Sequence, residues 1–174
     1  MIYENGGLIY QALNFAKHAH KGQFRKYTKQ PYITHPIRVA AMVMERDLSE
    51  HAIAAALLHD VVEDTDYTLE NITGRFGTEI GKLVDDLTNK PKDKKLSREV
   101  RKKIDRDRLA DVSVEAKIIK LLDRFDNLSD MGLADLEFRN KYATESMLLV
   151  DVIGNVDPEL AEWVRNCARN LCSY

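Results

Sequence analysis

The sequence predicts an all-α fold, a bundle of roughly eight to ten helices, on three observations. Apolar residues recur at helical spacing along nearly the whole chain. Capping residues and prolines mark where helices begin. No stretch of useful length alternates apolar and polar residues as a half-buried strand would. At 174 residues, 44% hydrophobic and 31% charged, the chain fits one globular domain with a full-sized core, expected to span 1–174.

The elements follow in order. Leu8, Ala12, Phe15, Ala16 and Ala19 form one apolar stripe, and that helix should stop near Gly22. A polar loop from Arg25 to Pro31 separates it from a second helix opened by His35-Pro36. Proline suits a first helical turn, and its ring pushes the preceding residue out of the helical region. This helix is expected to bury Ile37, Val39, Ala40 and Val43. Ser49 caps a third, apolar on every side from Ala52 to Leu58, so it should lie in the interior. Thr68 caps a short helix ending near Gly74, and Gly77 to Thr88 reads as another, with Ile80, Leu83, Val84 and Leu87 inward. Asn89 to Arg108 is a charged loop running into an exposed helix. Val114 to Leu128 is one helix with Val114, Ile118, Leu121, Leu122, Phe125 and Leu128 on its apolar side. Asp157-Pro158-Glu159 opens a last helix running through Trp163.

Bulk properties narrow the function. A net charge of −2 offers no broad positive field, which argues against binding extended nucleic acid. Cys167 and Cys172 lack metal-ligand spacing and read as reduced thiols. Met1 to Asn5 carries no basic stretch before an apolar core, and no apolar run reaches membrane-spanning length, so a cytoplasmic protein is expected.

Chemistry concentrates at His59-Asp60-Val61-Val62-Glu63-Asp64, directly after the interior helix. Carboxylates are disfavoured at a helix C-terminus by several tenths of a kcal/mol each. Crowded there, they call for a positive partner, and a bound divalent cation is the simplest. Glu63 lies one turn beyond His59, and Asp64 one turn beyond Asp60. Asp123 and Asn127 share a strip on a helix with little solvent-facing surface. Other readings stay open: a solvated helix end for the acidic run, a turn or core histidine at His35, and an ion pair of Asp123 with Lys120 or Arg124. His18 and His20 read as favourable charges near a helix C-terminus.

Five ordered segments carry a resemblance. They are His20-Lys21-Gly22-Gln23-Phe24-Arg25-Lys26, Pro31-Tyr32-Ile33-Thr34-His35-Pro36, Ala56 to Thr65, Phe76-Gly77 to Thr88, and Lys120 to Leu128. Together, over about residues 8 to 150, the chain resembles the HD-domain hydrolases of RelA/SpoT type, and specifically their stand-alone small alarmone hydrolases. The resemblance implies an HD-domain helical bundle and an Mn²⁺-dependent pyrophosphohydrolase that removes the 3′-diphosphate of (p)ppGpp. By motif it places metal ligands on His35, His59, Asp60 and Asp123, the catalytic pair on Glu63 and Asp64, and substrate contacts on Arg25, Lys26 and Asn127. A mixed nitrogen and oxygen set also accepts other divalent metals.

Two departures stand out. The loop from Arg25 to His35 is one residue longer than the family pattern. Ser129 and Asp130 replace the Arg and Thr common there, adding a negative charge. That change keeps other substrates open, namely the 2′-phosphate of NADPH or pyrophosphorylated tRNA. A module that senses alarmone without cleaving it is a separate alternative, against which the presence of all four ligand positions with Glu63 and Asp64 argues.

Overall fold

The computed structural model describes residues 6–89 and 95–172. Among them the chain forms ten α-helices and two short 3₁₀ turns, with a lone β-bridge between Phe24 and Pro31. The helices divide between two compact units that meet in sequence at Thr88–Asn89.

The first unit holds α1 (Leu8–Ala19), α2 (Thr34–Met44), α3 (Glu50–Leu58), α4 (Val61–Asp64), α5 (Leu69–Phe76) and α6 (Thr78–Leu87). Helix α3 is its axis: Ala52 to Leu58 are all buried, and α1, α2 and α6 pack on it. Four alanines in that run keep it slim enough for three helices to close around it. Burying Ile53, Leu57 and Leu58 contributes about 1.5–3 kcal/mol each, as an upper bound. Ser49 accepts from the Ala52 amide as the expected N-cap. Thr68 caps α5 in a reciprocal box with Asn71. Phe15 of α1 lies against Tyr67 and Phe76, with ring centroids 4.7 and 5.4 Å away.

Several local expectations need correction. Helix α5 passes through Gly74 and ends at Phe76; the stop is Gly77, at φ 89° and ψ 168°, a conformation open essentially to glycine. Helix α2 starts at Thr34, so His35 is helical: Pro36 falls within the first turn, where no intrahelical N–H is needed. Ile37 is 42% exposed, because His35, Pro36, Val39, Ala40 and Val43 define the inward face and Ile37 lies off it. Gly81 in α6 sits so near Thr73 that a Cβ would meet its Oγ1 at 2.2 Å, bringing α5 and α6 into close approach.

The second unit holds α7 (Arg98–Leu109), α8 (Val114–Ser129), α9 (Leu136–Ile153) and α10 (Pro158–Leu171). Helices α8, α9 and α10 pack on one another, and α7 lies on α9. Asp157 caps α10 with Pro158 in its first turn, as expected, although Trp163 is half-exposed. Along α8 the inward face holds from Ile118 to Leu128, while Val114, in the first turn, is 57% exposed. Within the charged segment from Asn89 to Arg108, residues 90–94 lie outside the described residues, as do Met1 to Asn5; α7 supplies the expected charged helix, with Leu109 its one buried residue. Cys167 and Cys172 are free thiols. No helix among the described residues is long and apolar enough to cross a membrane.

Candidate active site

The chain turns sharply where α3 ends. His59 is the C-cap of α3 and Asp60 the N-cap of α4, so the helix breaks between the two residues expected to ligate metal and restarts as a single turn carrying Glu63 and Asp64. The Asp64 amide still donates to the Asp60 carbonyl at 2.9 Å, preserving the one-turn relation read from the spacing. His59 is 1% exposed, and its Nδ1 lies 2.7 Å from the Ala56 carbonyl. A carbonyl only accepts, so Nδ1 carries a proton and Nε2 is the ring atom left to face Asp60. This is how a backbone partner orients a ligating imidazole.

His35, wholly buried near the start of α2, brings its ring within 5.1 Å of His59, and both Nε2 atoms face Asp60 Oδ2, at 3.4 and 3.2 Å. Burial opposes ionisation of Asp60, yet the flanking His59 and His35 hold its carboxyl well below the usual carboxylate range. Two imidazoles and one carboxylate thus converge at ligand-like spacing inside one unit. Such a donor set fits a divalent cation of the Mn, Fe, Co or Zn kind.

Tyr32 ties this cluster to the next turn. Its hydroxyl lies 2.6 Å from Asp60 Oδ2 and 2.9 Å from Asp64 Oδ2, so its single proton is shared between the two carboxylates. Burial, reinforced by those two carboxylates, pushes the phenol far above its ordinary value, so the hydroxyl remains a donor. A second strut runs beneath: His20 Nδ1 reaches Gln23 Oε1 at 2.8 Å, and Gln23 Nε2 donates to the Asp64 carbonyl at 2.7 Å. His20 is the C-cap of α1, at the helix end where the sequence put it, and it is buried there. It is 3% exposed and its ring lies against Tyr32, centroids 4.7 Å apart, whereas His18 is exposed as expected. Glu63 is half-buried and Asp64 exposed. Arg25 is buried with its guanidinium 5.6 Å from the Tyr32 ring centre; Lys26 is exposed over Tyr27.

In the second unit, α8 carries Asp123, 6% exposed, between Lys120 Nζ at 3.0 Å and the Asn127 side-chain amide, which donates to its Oδ1. The ion-pair alternative for Asp123 is thus realised, on a buried face. Ser129 donates to the Phe125 carbonyl one turn back, and Asp130 is the C-cap of α8.

A family profile described as HD domain matches residues 12–155. The chain belongs to the HD-domain family. HD domains are metal-dependent, and His35 and His59 belong to a buried group of His and Asp side chains that could hold a metal ion. Among the relatives of this HD domain is the guanosine-3′,5′-bis(diphosphate) 3′-pyrophosphohydrolase MESH1 of Xenopus tropicalis, 40% identical over 130 residues, covering 73% of this chain and 71% of that one. A guanosine-3′,5′-bis(diphosphate) 3′-pyrophosphohydrolase of Aquifex aeolicus is 36% identical over 163 residues, covering 89% of this chain. The chain spans only 23%, 19% and 20% of the length of that protein and of the Brucella melitensis and Haemophilus influenzae relatives. A solved structure described as a metazoan orthologue of SpoT that hydrolyses ppGpp and plays a role in starvation responses superposes with a TM-score of 0.84. The two are 31% identical, over 95% of this chain and 96% of that chain.

Sequence reasoning left Tyr32 and Gln23 without a role and did not foresee the contacts of His20 with them. All three stood inside the quoted segments, Tyr32 one turn before His35. Tyr32 meets the Asp60 and Asp64 carboxylates and Gln23 the Asp64 backbone carbonyl, relations that only folding reveals.

Proposed function

We propose that this chain, as a single HD domain over 1–174, removes the 3′-diphosphate of (p)ppGpp, giving GDP or GTP and pyrophosphate. One observation carries the reading: His35, His59 and Asp60 converge on one point while Tyr32 links Asp60 to Asp64, in a chain whose relatives bear that activity in their names. We assign the metal to His35, His59, Asp60 and Asp123; Asp123 is supported by its burial, its carboxylate chemistry and its place in the matching segment. Manganese is the proposed ion. When bound it lowers the pKa of a coordinated water and polarises a phosphoryl oxygen.

The chain's own residues do the rest. Glu63 and Asp64 orient the attacking water and accept its proton, and Tyr32 fixes the Asp64 carboxylate. A water oxygen bonds to the phosphorus attached to the 3′-oxygen, the bond from phosphorus to that oxygen breaks, and a proton returns to the ribose 3′-hydroxyl. Arg25 and Lys26 offset phosphate charge, Arg25 with a fork suited to two oxygens. Asn127, already bonded to Asp123, contacts the nucleotide. Incubation of purified protein with ppGpp and Mn²⁺ should yield equimolar GDP and pyrophosphate. A folded, metal-loaded protein that gives neither product removes the proposal.

A second reading rests on Asp130, whose carboxylate stands at the end of α8, three residues beyond Asn127. An added negative charge there disfavours a polyphosphate and leaves the NADPH 2′-phosphate or pyrophosphorylated tRNA as substrates. Parallel assays on the three substrates separate these outcomes.

A further inference from the structure

The second unit contains a polar hollow that the proposed chemistry does not use. Its inner chamber, about 30 Å³, is walled by Lys102, Arg106, Lys120, Arg124 and Glu145. An outer chamber of about 350 Å³ shares Lys102, Arg106 and Glu145 with it and opens past Lys141, Thr144 and Leu148.

The charges inside do not balance. Arg124 is 8% exposed and has no carboxylate in ion-pair reach among the described residues. Its Nε has no hydrogen-bond partner there, one Nη reaches Ser146 Oγ only at 3.4 Å, and its plane lies 4.4 Å from the Tyr142 ring centre. A buried guanidinium without a counter-charge is destabilising and favours an anionic partner. Of the acids nearby, Glu99 of the outer chamber is exposed, and those further in pair with other cations. Glu145 is gripped by both prongs of Arg98, at 2.7 and 3.0 Å, and Asp123 pairs with Lys120. Asp105 approaches Lys102 no closer than 3.8 Å. Burial, then the facing Arg124 and Lys120, lower the pKa of Lys102, while Asp105 and Glu145 only partly oppose them.

We propose that this hollow, walled by α7, α8 and α9, binds a phosphorylated small molecule, its phosphate oxygens against Arg124 and Lys102 and its organic part along Leu148 and Thr144. The inner chamber has room for about two water-sized groups, as terminal phosphoryl oxygens are. The outer chamber falls within the roughly 300–1,000 Å³ of small-molecule sites. A planar, five-donor guanidinium is the usual partner of a phosphate. The proposal does not rest on the hydrolase reading.

The test is calorimetric titration of the full chain with GDP in EDTA, which takes metal out of the comparison, beside unphosphorylated guanosine. Wild type should bind GDP and not guanosine. Lys102→Gln and Lys141→Gln should each weaken GDP at least tenfold, with circular dichroism unchanged. They carry the test because Arg124→Gln also removes the buried contact with Tyr142. Absence of GDP binding at millimolar concentration overturns the proposal, as does binding unaltered by both substitutions. Binding abolished by Arg25→Ala yet indifferent to Lys102→Gln places the ligand elsewhere and overturns it equally. Turnover of ppGpp, measured separately with Mn²⁺, reports on the proposed function whichever way the titration falls.

Discussion

Replacing Tyr32 by Phe keeps the ring against His20 and Arg25 and removes one oxygen. That oxygen shares its one proton between two carboxylates, Asp60 at 2.6 Å and Asp64 at 2.9 Å. A hydrogen bond to a charged group is worth about 1.5–3 kcal/mol. Asp64 is exposed, and water replaces most of its share, so the net loss falls near about 2 kcal/mol, roughly a thirty-fold rate effect. Loss of a partner behind a metal ligand gives a similar expectation, about 10–100-fold in metal affinity or activity. The assay is steady-state release of pyrophosphate from ppGpp at saturating Mn²⁺, with manganese affinity measured independently. We expect kcat to fall about thirty-fold, KM to stay within about twofold, and manganese to bind more weakly. A positioning residue acting through Asp60 and Asp64 requires that pattern. A kcat within twofold of wild type, with manganese affinity unchanged, would refute the reasoning.

Three further outcomes are expected. Asp60→Ala should abolish turnover together with manganese retention, whereas Glu63→Ala should abolish turnover and leave the ion bound, a contrast read by metal analysis after gel filtration. Gly77→Ala should cost about 1–3 kcal/mol in urea denaturation, because φ 89° strains any side-chain-bearing residue even where its Cβ meets nothing. Lys102→Met should stabilise the protein by about 1 kcal/mol at neutral pH by removing a partly buried, repelled cation. Lys102 is lowered from 10.5 in the fold, so the wild-type penalty is complete below the lowered value and disappears as pH climbs to 10.5. The advantage of the variant in thermal melts should therefore shrink with rising pH.

What the sequence disclosed was whatever is decided locally. Caps at Ser49, Thr68 and Asp157 are written in the residue and the two or three that follow it, and each was legible. Helix faces were legible where the period ran long, as from Ile118 to Leu128, and failed at Val114 and Ile37, where an end or a competing face lets an apolar residue turn outward. The stop at Gly77 in place of Gly74 depends on a positive φ that composition does not reveal. At the site, one helical turn relates Asp60 to Asp64, and this was visible in the spacing. The hydroxyl that joins them comes from a residue 28 and 32 positions away, a relation that exists only once α2 packs on α3. The burial of His20 at the end of α1 was not foreseen for a similar reason: its surroundings are supplied by Gln23 and Tyr32 after the chain has turned at Gly22.

Helix α7 contributes only Leu109 to the interior, and near its other end Arg98 is clamped to Glu145 of α9. An element anchored at two points by so little apolar area is the part of its unit most readily peeled away. Its amides should take up deuterium well before those of α8, and faster still once Glu145→Gln cuts the clamp. Since Lys102 and Arg106 travel with α7, every such excursion dismantles one wall of the hollow, and an occupied hollow should slow the exchange in return.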